Sequence, residues 1–419
     1  MSNLCSRIVV TWLIYALLIA VAGADEAVSE RRKSQFPTSY GYLLAPLPYS
    51  IPGIGEGMFI LGSFTNVFGT TADPTLVLIT GDAQGEGAFF DELPLYSEHL
   101  FLRANFLNIS TAAVNNYDSR GMNTNKDDYT LLQISSYQER SLGLDLAFHN
   151  RKLMLSVIRY QSRGNLDKIR DPDGDIIDDF ANPFKFRNKS WQWAAQLDMT
   201  DDYLDARKGF RVNVRYRNNP PQSANDPDFY VTEVNSSLYL PTIGADTLVL
   251  NYFQSDANVR RKGNLDRASI IQELGFNCPP ANTECLTAES NLADVISNQR
   301  RYGTASSLGG DNRFRAYPQG RFNGAHVSFI GAEYRMNFVQ DSTPFNFYIW
   351  RDTHTGFQLA FFTEFATVSE TSRDLWKDSR FVQGVGLRLV TKSGSVYRAD
   401  LGVGDEGAEL SVFFYYPWN

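Results

Sequence analysis

The stretch WQWAAQLDMT (Trp191–Thr200) alternates between apolar and polar side chains over a full strand length. A period of two residues is typical of a β-strand whose two faces meet different surroundings. The same alternation recurs in SLGLDLAF (Ser141–Phe148), in FRVNVRYR (Phe210–Arg217) and in AELSVFFYYPW (Ala408–Trp418). From about residue 47 onwards the chain consists of such alternating segments, separated by Gly-, Pro-, Asn- and Asp-rich turns. No segment shows a helical periodicity long enough to predict a helix. The pattern predicts an all-β fold.

The two faces of these segments distinguish a membrane barrel from a soluble sandwich, whose strands also alternate. Arg211, Arg215 and Arg217 lie in phase on one predicted strand, where they suit a wet lumen or a solvated sheet face. The opposite faces carry Trp, Leu, Phe and Val over many strands, which suits lipid. At ~22–24 residues per strand and turn, the segment 47–419 holds about 16 strands. We therefore predict a transmembrane antiparallel β-barrel whose lumen carries a basic stripe made of these three arginines.

The first residues of the chain predict export. Residues 1–24 combine a positive charge at Arg7, an apolar run at Ile8–Val21 and a small-residue cleavage pattern ending at Ala24, as secretory signal peptides do. A retained anchor helix is the alternative, although the run is shorter than the ~20 residues that a spanning helix needs. We expect residues 25–46 to form a short periplasmic extension, too short for a folded domain of ~50 residues, and residues 47–419 to form the barrel. The predicted location is the outer membrane of a Gram-negative bacterium, in contact with its lipid.

Composition and motifs exclude several function classes. A formal net charge of −8 without a basic face argues against a nucleic-acid partner. A mean hydropathy of −0.29 and the absence of a second long apolar run exclude a helical membrane protein. The four histidines are scattered, and neither an HExxH nor a GxSxG motif occurs, so we expect no enzyme, metal or cofactor. The Asp-rich stretch Ile169–Phe180 is faintly similar to a calcium loop, but it lacks the full ligand pattern and is typical of a solvated turn.

Two cysteines follow the predicted signal peptide, Cys278 and Cys285, in the sequence NCPPANTEC. Pro279 and Pro280 favour a turn between them, and an oxidising compartment favours their pairing. We predict a disulfide bond that closes a small loop on the extracellular side.

The turn signals also predict where the strands lie. The first strand is expected at about Glu56–Phe68 and the last at about Ala408–Trp418. Long connections, which outer-membrane barrels place on the extracellular side, are predicted near residues 85–97, 117–127, 163–188, 218–228, 276–297 and 370–379.

The segment Ser306–Phe338 resembles a stretch of the BamA/TamA/FhaC barrel superfamily, also called the bacterial surface antigen family. Its members have a Gly-Gly pair, then Arg-Gly-Tyr/Phe at the tip of a long inward-folded extracellular loop, then a strand with Glu-Tyr-Arg. The corresponding residues here are Gly309-Gly310, Arg315-Ala316-Tyr317 and Glu333-Tyr334-Arg335, with Ala316 in place of the family glycine. The resemblance implies the same inward-folded loop.

Three further segments support this resemblance. FFTEFATV (Phe361–Val368) is similar to the family's Phe-x-Asp-x-Gly strand, with Glu364 and Ala366 in place of the acid and the glycine. TDDYLDARKGFRV (Thr200–Val212) resembles its Asp-rich strand entry, and the last three predicted strands resemble its closing strands. No sequence resembling POTRA domains is present, so the chain looks closest to barrel-only members.

The resemblance and the strand phase together predict a latch between the inward loop and the barrel wall. Glu364 is in phase with the predicted lumen face, so Arg315 at the loop tip could form a charge-assisted bond with it. Tyr317 is expected beside Arg315, against a wall kept smooth by Gly384 and Gly386. The alternative is that Arg315 is an exposed cation and that Glu364 pairs with another lumen arginine.

For function, the family resemblance implies a barrel that assists translocation or insertion of a polypeptide or lipid at the outer membrane. A weak seam between the first and last strands would provide the route, because open strand edges can pair with a client segment. Two alternatives remain at this point: a passive pore that favours anions because of Arg211, Arg215 and Arg217, and a structural or adhesive surface barrel.

Overall fold

The computed structural model describes residues 40–418, except residues 66, 68–69, 71, 97–98, 204, 341–344, 348–349, 354 and 392–395. The predicted signal peptide, residues 1–24, lies outside the described residues, as does most of the predicted extension 25–46.

A single antiparallel sheet contains all the described strands and closes on itself. Sixteen strands form the wall of the barrel, and two short ones, β13 and β14, form a hairpin below it, because β12 pairs directly with β15. This confirms the predicted antiparallel barrel of about 16 strands. The strands are β1 (Gly41–Ile51), β2 (Gly55–Thr65), β3 (Pro74–Gly81), β4 (Gln84–Tyr96), β5 (Leu100–Tyr117), β6 (Tyr129–Phe148), β7 (Leu153–Arg170), β8 (Ile176–Asp198), β9 (Gly209–Asn219), β10 (Asp228–Pro241), β11 (Thr247–Arg261), β12 (His326–Gln340), β13 (Phe345–Phe347), β14 (Trp350–Thr353), β15 (Thr355–Ser369), β16 (Arg380–Thr391), β17 (Val396–Gly404) and β18 (Gly407–Phe414).

The apolar faces of the strands point outwards. On β6, Leu142, Leu144, Leu146 and Phe148 are 57%, 41%, 42% and 40% exposed, whereas Asp145 and Ala147 between them are buried towards the interior. On β8 the outward side chains include Trp191 and Trp193, which are 42% and 45% exposed. A soluble sandwich would bury such residues, so an apolar outside with a polar inside indicates lipid around the barrel.

The longest connection, 262–325, lies at one end of the barrel, together with the connections 118–128 and 370–379 and with hairpins of only two or three residues. We call the end with this longest connection extracellular, as in other outer-membrane barrels. Of the predicted long connections, those near 117–127, 218–228, 276–297 and 370–379 fall between strands or within the segment 262–325. The prediction was wrong for 85–97, which is β4, and for 163–188, where β7 and β8 continue to within a few residues of each other. In β7 and β8 polar side chains caused this error, because these two strands keep pairing beyond the apolar band.

The extracellular segment 262–325 contains two helices, contrary to the expectation that no helical segment interrupts the strands. Helix α1 (Arg267–Leu274) begins at Asp266, whose Oδ2 accepts from the Ser269 amide at 2.9 Å, and helix α2 (Thr283–Tyr302) follows. The amphipathic pattern of both is weak, so strand-period reasoning missed them. Their apolar residues pack on the extracellular part of the β7–β8 hairpin in one cluster, which contains Leu166, Ile169, Phe180, Ile270, Leu274, Leu292 and Ala293. No helix among the described residues is long and apolar enough to span a membrane.

The first strand of the barrel was placed wrongly. The predicted segment Glu56–Phe68 corresponds to β2, and β1 precedes it from Gly41, so residues 41–46 of the predicted extension belong to the sheet. Strand β1 contains Pro46 and Pro48, which a strand tolerates where the missing N–H faces an edge.

The end of the last strand also differs from the prediction. Strand β18 ends at Phe414, and Tyr415 adopts a positive φ of 66° that turns the chain inwards. Tyr416 and Trp418 are therefore buried inside the barrel, although their alternation had predicted an outward face.

Candidate functional site: the inward loop and the seam

The segment 306–325 folds back into the lumen and forms a tight turn at its deepest point. Gly309 and Gly310 have φ values of 103° and 94°, which residues with side chains rarely adopt. The Gly310 amide donates to the Tyr317 carbonyl at 2.7 Å, and the Gly309 amide donates to the Arg313 carbonyl at 3.1 Å. The glycine pair therefore closes the turn that carries Arg315 at its tip.

Arg315 is fully buried against the barrel wall, and it contacts Glu364 at two points. Its Nε donates to Glu364 Oε1 at 2.9 Å, and its backbone amide donates to Glu364 Oε2 at 2.9 Å. Its Nη1 donates to Asp400 Oδ2 at 2.9 Å and to Glu333 Oε2 at 3.1 Å. The guanidinium carbon lies 3.4 Å from the centre of the Phe362 ring, which covers its face. Arg315 is thus not an exposed loop cation.

Three arginines of the wall balance the remaining acidic charge around Arg315. Arg388 donates to Glu333 from Nη1 at 2.6 Å, and Arg335 donates to it from Nε at 2.8 Å. Arg398 pairs with Asp400 and with Asp311 of the inward loop. The network is buried and contains four arginines and four carboxylates: Arg315, Arg335, Arg388, Arg398, Asp311, Glu333, Glu364 and Asp400. Such a balance is what makes several charges tolerable away from water.

Sequence reasoning missed Arg388, Arg398 and Asp400 as members of this network. The sequence did contain an indication of these residues. Arg388 lies on the same face of β16 as Gly384 and Gly386, and Arg398 and Asp400 share one face of β17. Charged residues that alternate with outward apolar residues along a strand face the lumen, and several of them on neighbouring strands indicate a buried polar cluster there.

Tyr317 packs beside the network, but against a part of the wall that was not predicted. Its ring stacks on Phe314 with centres 4.6 Å apart and meets Phe322 edge-on at 5.0 Å, and its hydroxyl donates to Asp405. A Cβ added to Gly404 would lie 2.8 Å from the Tyr317 hydroxyl oxygen, so Gly404 leaves the space that Tyr317 uses.

The glycines that accommodate the loop tip lie on β17. A Cβ on Gly402 would lie 2.7 Å from the Arg315 carbonyl oxygen. The predicted pair has other neighbours: a Cβ on Gly384 would meet the Phe362 ring at 2.3 Å, and one on Gly386 would meet the Asp400 carboxylate. Gly384 and Gly386 therefore make room for the partners of Arg315 and not for Tyr317.

The segment that follows β18 contacts the Arg315 network through Trp418. The Trp418 Nε1 donates to Glu364 Oε1 at 3.0 Å, and the Trp418 amide donates to Asn312 Oδ1 at 2.6 Å. Asn235, on the facing wall, donates from Nδ2 to the Trp418 carbonyl at 2.6 Å. A Cβ on Gly331 would come within 2.6 Å of the indole, so this glycine makes its place. The segment therefore ties the last strand to the inward loop and to β10.

The predicted basic stripe lies on β9 and is partly neutralised. Arg211 donates from Nη2 to Asp198 Oδ2 at 3.2 Å, and Arg215 donates from Nη1 to Glu233 Oε2 at 3.2 Å. For Arg217, the described residues include no ion-pair partner. Two of the three charges are thus compensated by neighbouring strands.

The predicted cysteine pair forms a disulfide that joins the connection after α1 to the first turn of α2. Cys278 precedes α2, and Cys285 lies in its first turn, with the two sulfur atoms bonded. The Cys285 amide donates to Asn282 Oδ1 at 3.1 Å, which caps the same helix end. The bond therefore fixes the connection between α1 and α2.

The barrel closes at a seam where β1 meets β18, and the pairing there is sparse. One residue pair, Ser50 and Val412, is in register across the seam, whereas β1 and β2 share eleven pairs and β17 and β18 share eight. The periplasmic part of β1 pairs instead with the β13–β14 hairpin, at Tyr42–Arg351 and Leu43–Trp350. The described strands are joined less extensively here than at the two neighbouring ladders.

Proline explains part of this weakness. The Pro48 carbonyl accepts from the Tyr397 hydroxyl at 2.7 Å, so this edge of β1 faces the last strands. The nitrogen and carbonyl of one residue point to the same side of an antiparallel strand, and residues two apart point alike. Pro46 and Pro48 therefore remove two N–H donors from the edge that faces β18.

These observations can be compared with known proteins. The family model for the Omp85 superfamily domain matches residues 107–404. The chain belongs to the Omp85 superfamily. The match confirms the resemblance that Ser306–Phe338 indicated. As an Omp85 barrel the protein resides in the Gram-negative outer membrane, and it is not an enzyme.

Three solved structures align with most of this chain at low sequence identity. BamA from Haemophilus ducreyi lacking POTRA domains 1–3 is 11% identical with a TM-score of 0.46, and the alignment covers 90% of this chain and 69% of that one. CdiB from Escherichia coli is 13% identical with a TM-score of 0.48, over 90% of this chain and 61% of that one. CdiB from Acinetobacter baumannii is 11% identical with a TM-score of 0.44, over 90% and 60%. The chain thus spans less than two thirds of either CdiB chain. No curated protein matches it by sequence.

Proposed function

We propose that this Omp85 barrel assists the translocation or insertion of a polypeptide or lipid at the outer membrane by opening the seam between β1 and β18. The observation that carries the proposal is the single registered pair across that seam, Ser50–Val412. Each net backbone hydrogen bond contributes ~0.5–1.5 kcal/mol, so a seam with few of them opens at lower free energy than a full ladder.

An opened seam would offer two strand edges to a client. The edge of β18 would present its full set of donors and acceptors, and a client strand could pair with it by β-augmentation. The edge of β1 is poorer in donors because of Pro46 and Pro48. The two edges are therefore unequal, and β18 is the better template for pairing.

Aromatic side chains close the inner side of the seam without backbone bonds. Phe59 of β2 lies 6.0 Å from the Phe413 ring and 5.6 Å from the Phe414 ring, measured between centres. Such contacts are not directional in the way that hydrogen bonds are, so they can hold a closed seam and still allow it to separate.

A reversible crosslink tests the proposal. The variant Ser50→Cys/Val412→Cys should form a disulfide across the seam and abolish the ability of the gene to complement a deletion strain, and reductant should restore it. Leu401→Cys/Leu410→Cys joins β17 to β18, which are already in register, and is the matched control. In the deletion strain, outer-membrane proteins and lipids are quantified against the parent. Full complementation by the crosslinked seam variant would exclude seam opening as the mechanism.

The structure gives less support to an anion-leaning pore. Asp198 and Glu233 compensate Arg211 and Arg215, and the inward loop and the residues around Trp418 cross the lumen. Conductance in planar bilayers distinguishes this alternative, because a passive pore would give large, steady currents.

A further inference from the structure

A group of basic side chains lies on the outer surface of the barrel, away from the loop and the seam. All its members are exposed and belong to three neighbouring strands, β6, β7 and β8. We call this group the outer basic patch; it consists of Arg140, Arg159, Arg163, Lys185, Arg187 and Lys189. Because neighbouring outward positions bring these cations together, the patch is a concentrated positive surface on a chain whose net charge is −8.

Strand register shows how closely the cations approach. Arg163 on β7 is the direct cross-strand partner of Arg187 on β8, and Lys189 lies opposite Gln161, one outward position below. Like charges directly opposite each other on one face of a sheet are destabilising. The pair is therefore unfavourable unless an anion lies close to both guanidinium groups.

Five of the six cations of the patch, all except Arg159, form no ion pair with an acidic side chain among the described residues. Arg163 donates from Nε and Nη2 to the neutral Gln138 Oε1, at 3.0 and 2.6 Å, and Arg140 lies over the Phe106 ring at 5.6 Å. Within the described part of the chain, no ion pair joins Arg140, Arg163, Lys185, Arg187 or Lys189 to a carboxylate. These cations are therefore available to an anion from outside.

A cation elsewhere on the outer surface provides a contrast. Arg260 on β11 donates from Nη1 to Asp228 at 3.1 Å and to Asn218 at 2.7 Å, and its guanidinium lies over the Tyr230 ring. That charge is satisfied within the protein. An exposed cation on the outer surface can thus have an acidic partner within the protein, as Arg260 does.

The position of the patch relative to the membrane points to its ligand. Arg159 lies opposite Leu142 and Trp191, and the other cations lie above these residues. The outward apolar residues below the cations are Leu142, Leu144, Leu146 and Phe148 on β6 and Trp191 and Trp193 on β8. The four positions on β6 span ~20 Å along the strand and, at a tilt of ~40°, ~16 Å across the membrane, which is about two thirds of the ~25 Å apolar band of such barrels. The tryptophans mark the membrane interface, so the cations stand at the level of the headgroups of the outer leaflet.

We infer that the outer basic patch binds the phosphate groups of an anionic lipid headgroup in the outer leaflet. Arginine forms paired hydrogen bonds with phosphate oxygens, and lysine adds a mobile point charge. A phosphate between Arg163 and Arg187 would remove the repulsion between them, while the acyl chains of the same lipid lie along the apolar residues below. The site is independent of the seam.

Lipid binding by the purified full-length mature barrel tests the inference. The probe is a bisphosphorylated glucosamine lipid in non-ionic detergent, with phosphatidylcholine as the uncharged reference. The variant Lys185→Gln/Arg187→Gln/Lys189→Gln should bind the phosphorylated lipid at least tenfold more weakly, with no change for phosphatidylcholine. The matched control is Arg260→Gln, an outward cation already paired with Asp228, and it should bind like the parent. Heat-modifiable mobility on gels establishes that each variant is folded.

Two further arms distinguish the alternatives. Inorganic phosphate in large molar excess should not displace the lipid, because the apolar wall contributes to binding; displacement would assign a free-anion site and overturn the lipid proposal. If the triple variant fails to fold, Arg187→Gln alone should weaken binding severalfold. Parental affinity in a folded triple variant, or an equal loss in Arg260→Gln, would also overturn the inference.

Discussion

Arg315 and Glu364 are joined twice, once through the guanidinium and once through the backbone amide, each at 2.9 Å. The second bond matters because it does not depend on the arginine side chain: Glu364 also holds the main chain of the loop tip. The Glu364 carboxylate therefore holds the loop in position. The Arg315 guanidinium compensates the negative charges of Asp400 and Glu333.

The first prediction concerns this pair. Breaking a buried ion pair by removing one partner costs about 3–5 kcal/mol, so Arg315→Ala should loosen the loop more than it harms the barrel. Glu364→Ala should have at least as large an effect, because it removes both bonds. Limited proteolysis should then cut between Gly310 and Gly324, where the parent resists. Arg301→Ala, at an exposed arginine of the same extracellular segment, is the control. Parental cleavage rates in both alanine variants would show that the pair does not hold the loop.

The second prediction uses the close approach of the loop to β17. In Gly402→Ala the new Cβ would lie 2.7 Å from the Arg315 carbonyl oxygen. The neighbouring atoms belong to the loop backbone, which cannot move aside as easily as the end of a side chain. The loop tip should be displaced, and the same region should become sensitive to protease. Gly62→Ala is the control, because its nearest neighbour is a flexible Phe64 ring at 3.4 Å. A Gly402→Ala variant that resists protease as the parent does would contradict the observed contact.

Much of this fold could be predicted from alternation alone. In Ser141–Phe148 each outward residue is apolar and each inward residue is small or polar. The sequence therefore predicted both the strand and the face that points to the lipid. Alternation failed where the chain leaves the apolar band: β7 and β8 continue with charged residues on both faces, and only their pairing shows that they are strands. It also failed at Tyr415, because one positive φ reverses the direction in which Trp418 points.

The site was only partly predictable for a related reason. Arg315 and Glu364 could be singled out by the family resemblance and by strand phase. The other members lie on β12, β16, β17 and the inward loop, and their side chains converge inside the lumen, which the alternation of a single strand does not specify. Asp311 and Arg398 are 87 residues apart and meet only because the loop folds inwards.

The third prediction concerns the disulfide. Cys278→Ser/Cys285→Ser should leave the barrel assembled and heat-modifiable, because the bond constrains the α1–α2 connection and not the sheet. Loss of a small ring of this kind removes roughly 2–3 kcal/mol of constraint in the chain-entropy model. Amide exchange should accelerate in the first turn of α2 and remain unchanged in β7 and β8. Free thiols at both positions in intact, unreduced membranes would refute the assignment.

The fourth prediction tests the topology itself. Because nearly all backbone groups of the wall pair with neighbouring strands, the folded barrel should resist SDS until it is boiled. The purified mature protein should therefore migrate differently before and after heating. Identical mobility under both conditions is incompatible with a closed sheet of sixteen strands.

The last prediction concerns Trp418, which connects the end of β18 to the latch. Trp418→Phe removes the bond to Glu364 Oε1 but keeps an aromatic ring beside Phe329, so it should destabilise by ~1 kcal/mol. Trp418→Ala also opens a cavity and should cost about 3–5 kcal/mol. Because the segment anchors the last strand, amide exchange in β17 and β18 should accelerate in the order parent, Phe, Ala, and the temperature of barrel unfolding in SDS should fall in the same order. Trp376→Ala, at an exposed tryptophan of the connection 370–379, should change neither. If Trp418→Ala keeps parental exchange in both strands, the buried indole stabilises the loop alone and does not hold the last strand in place.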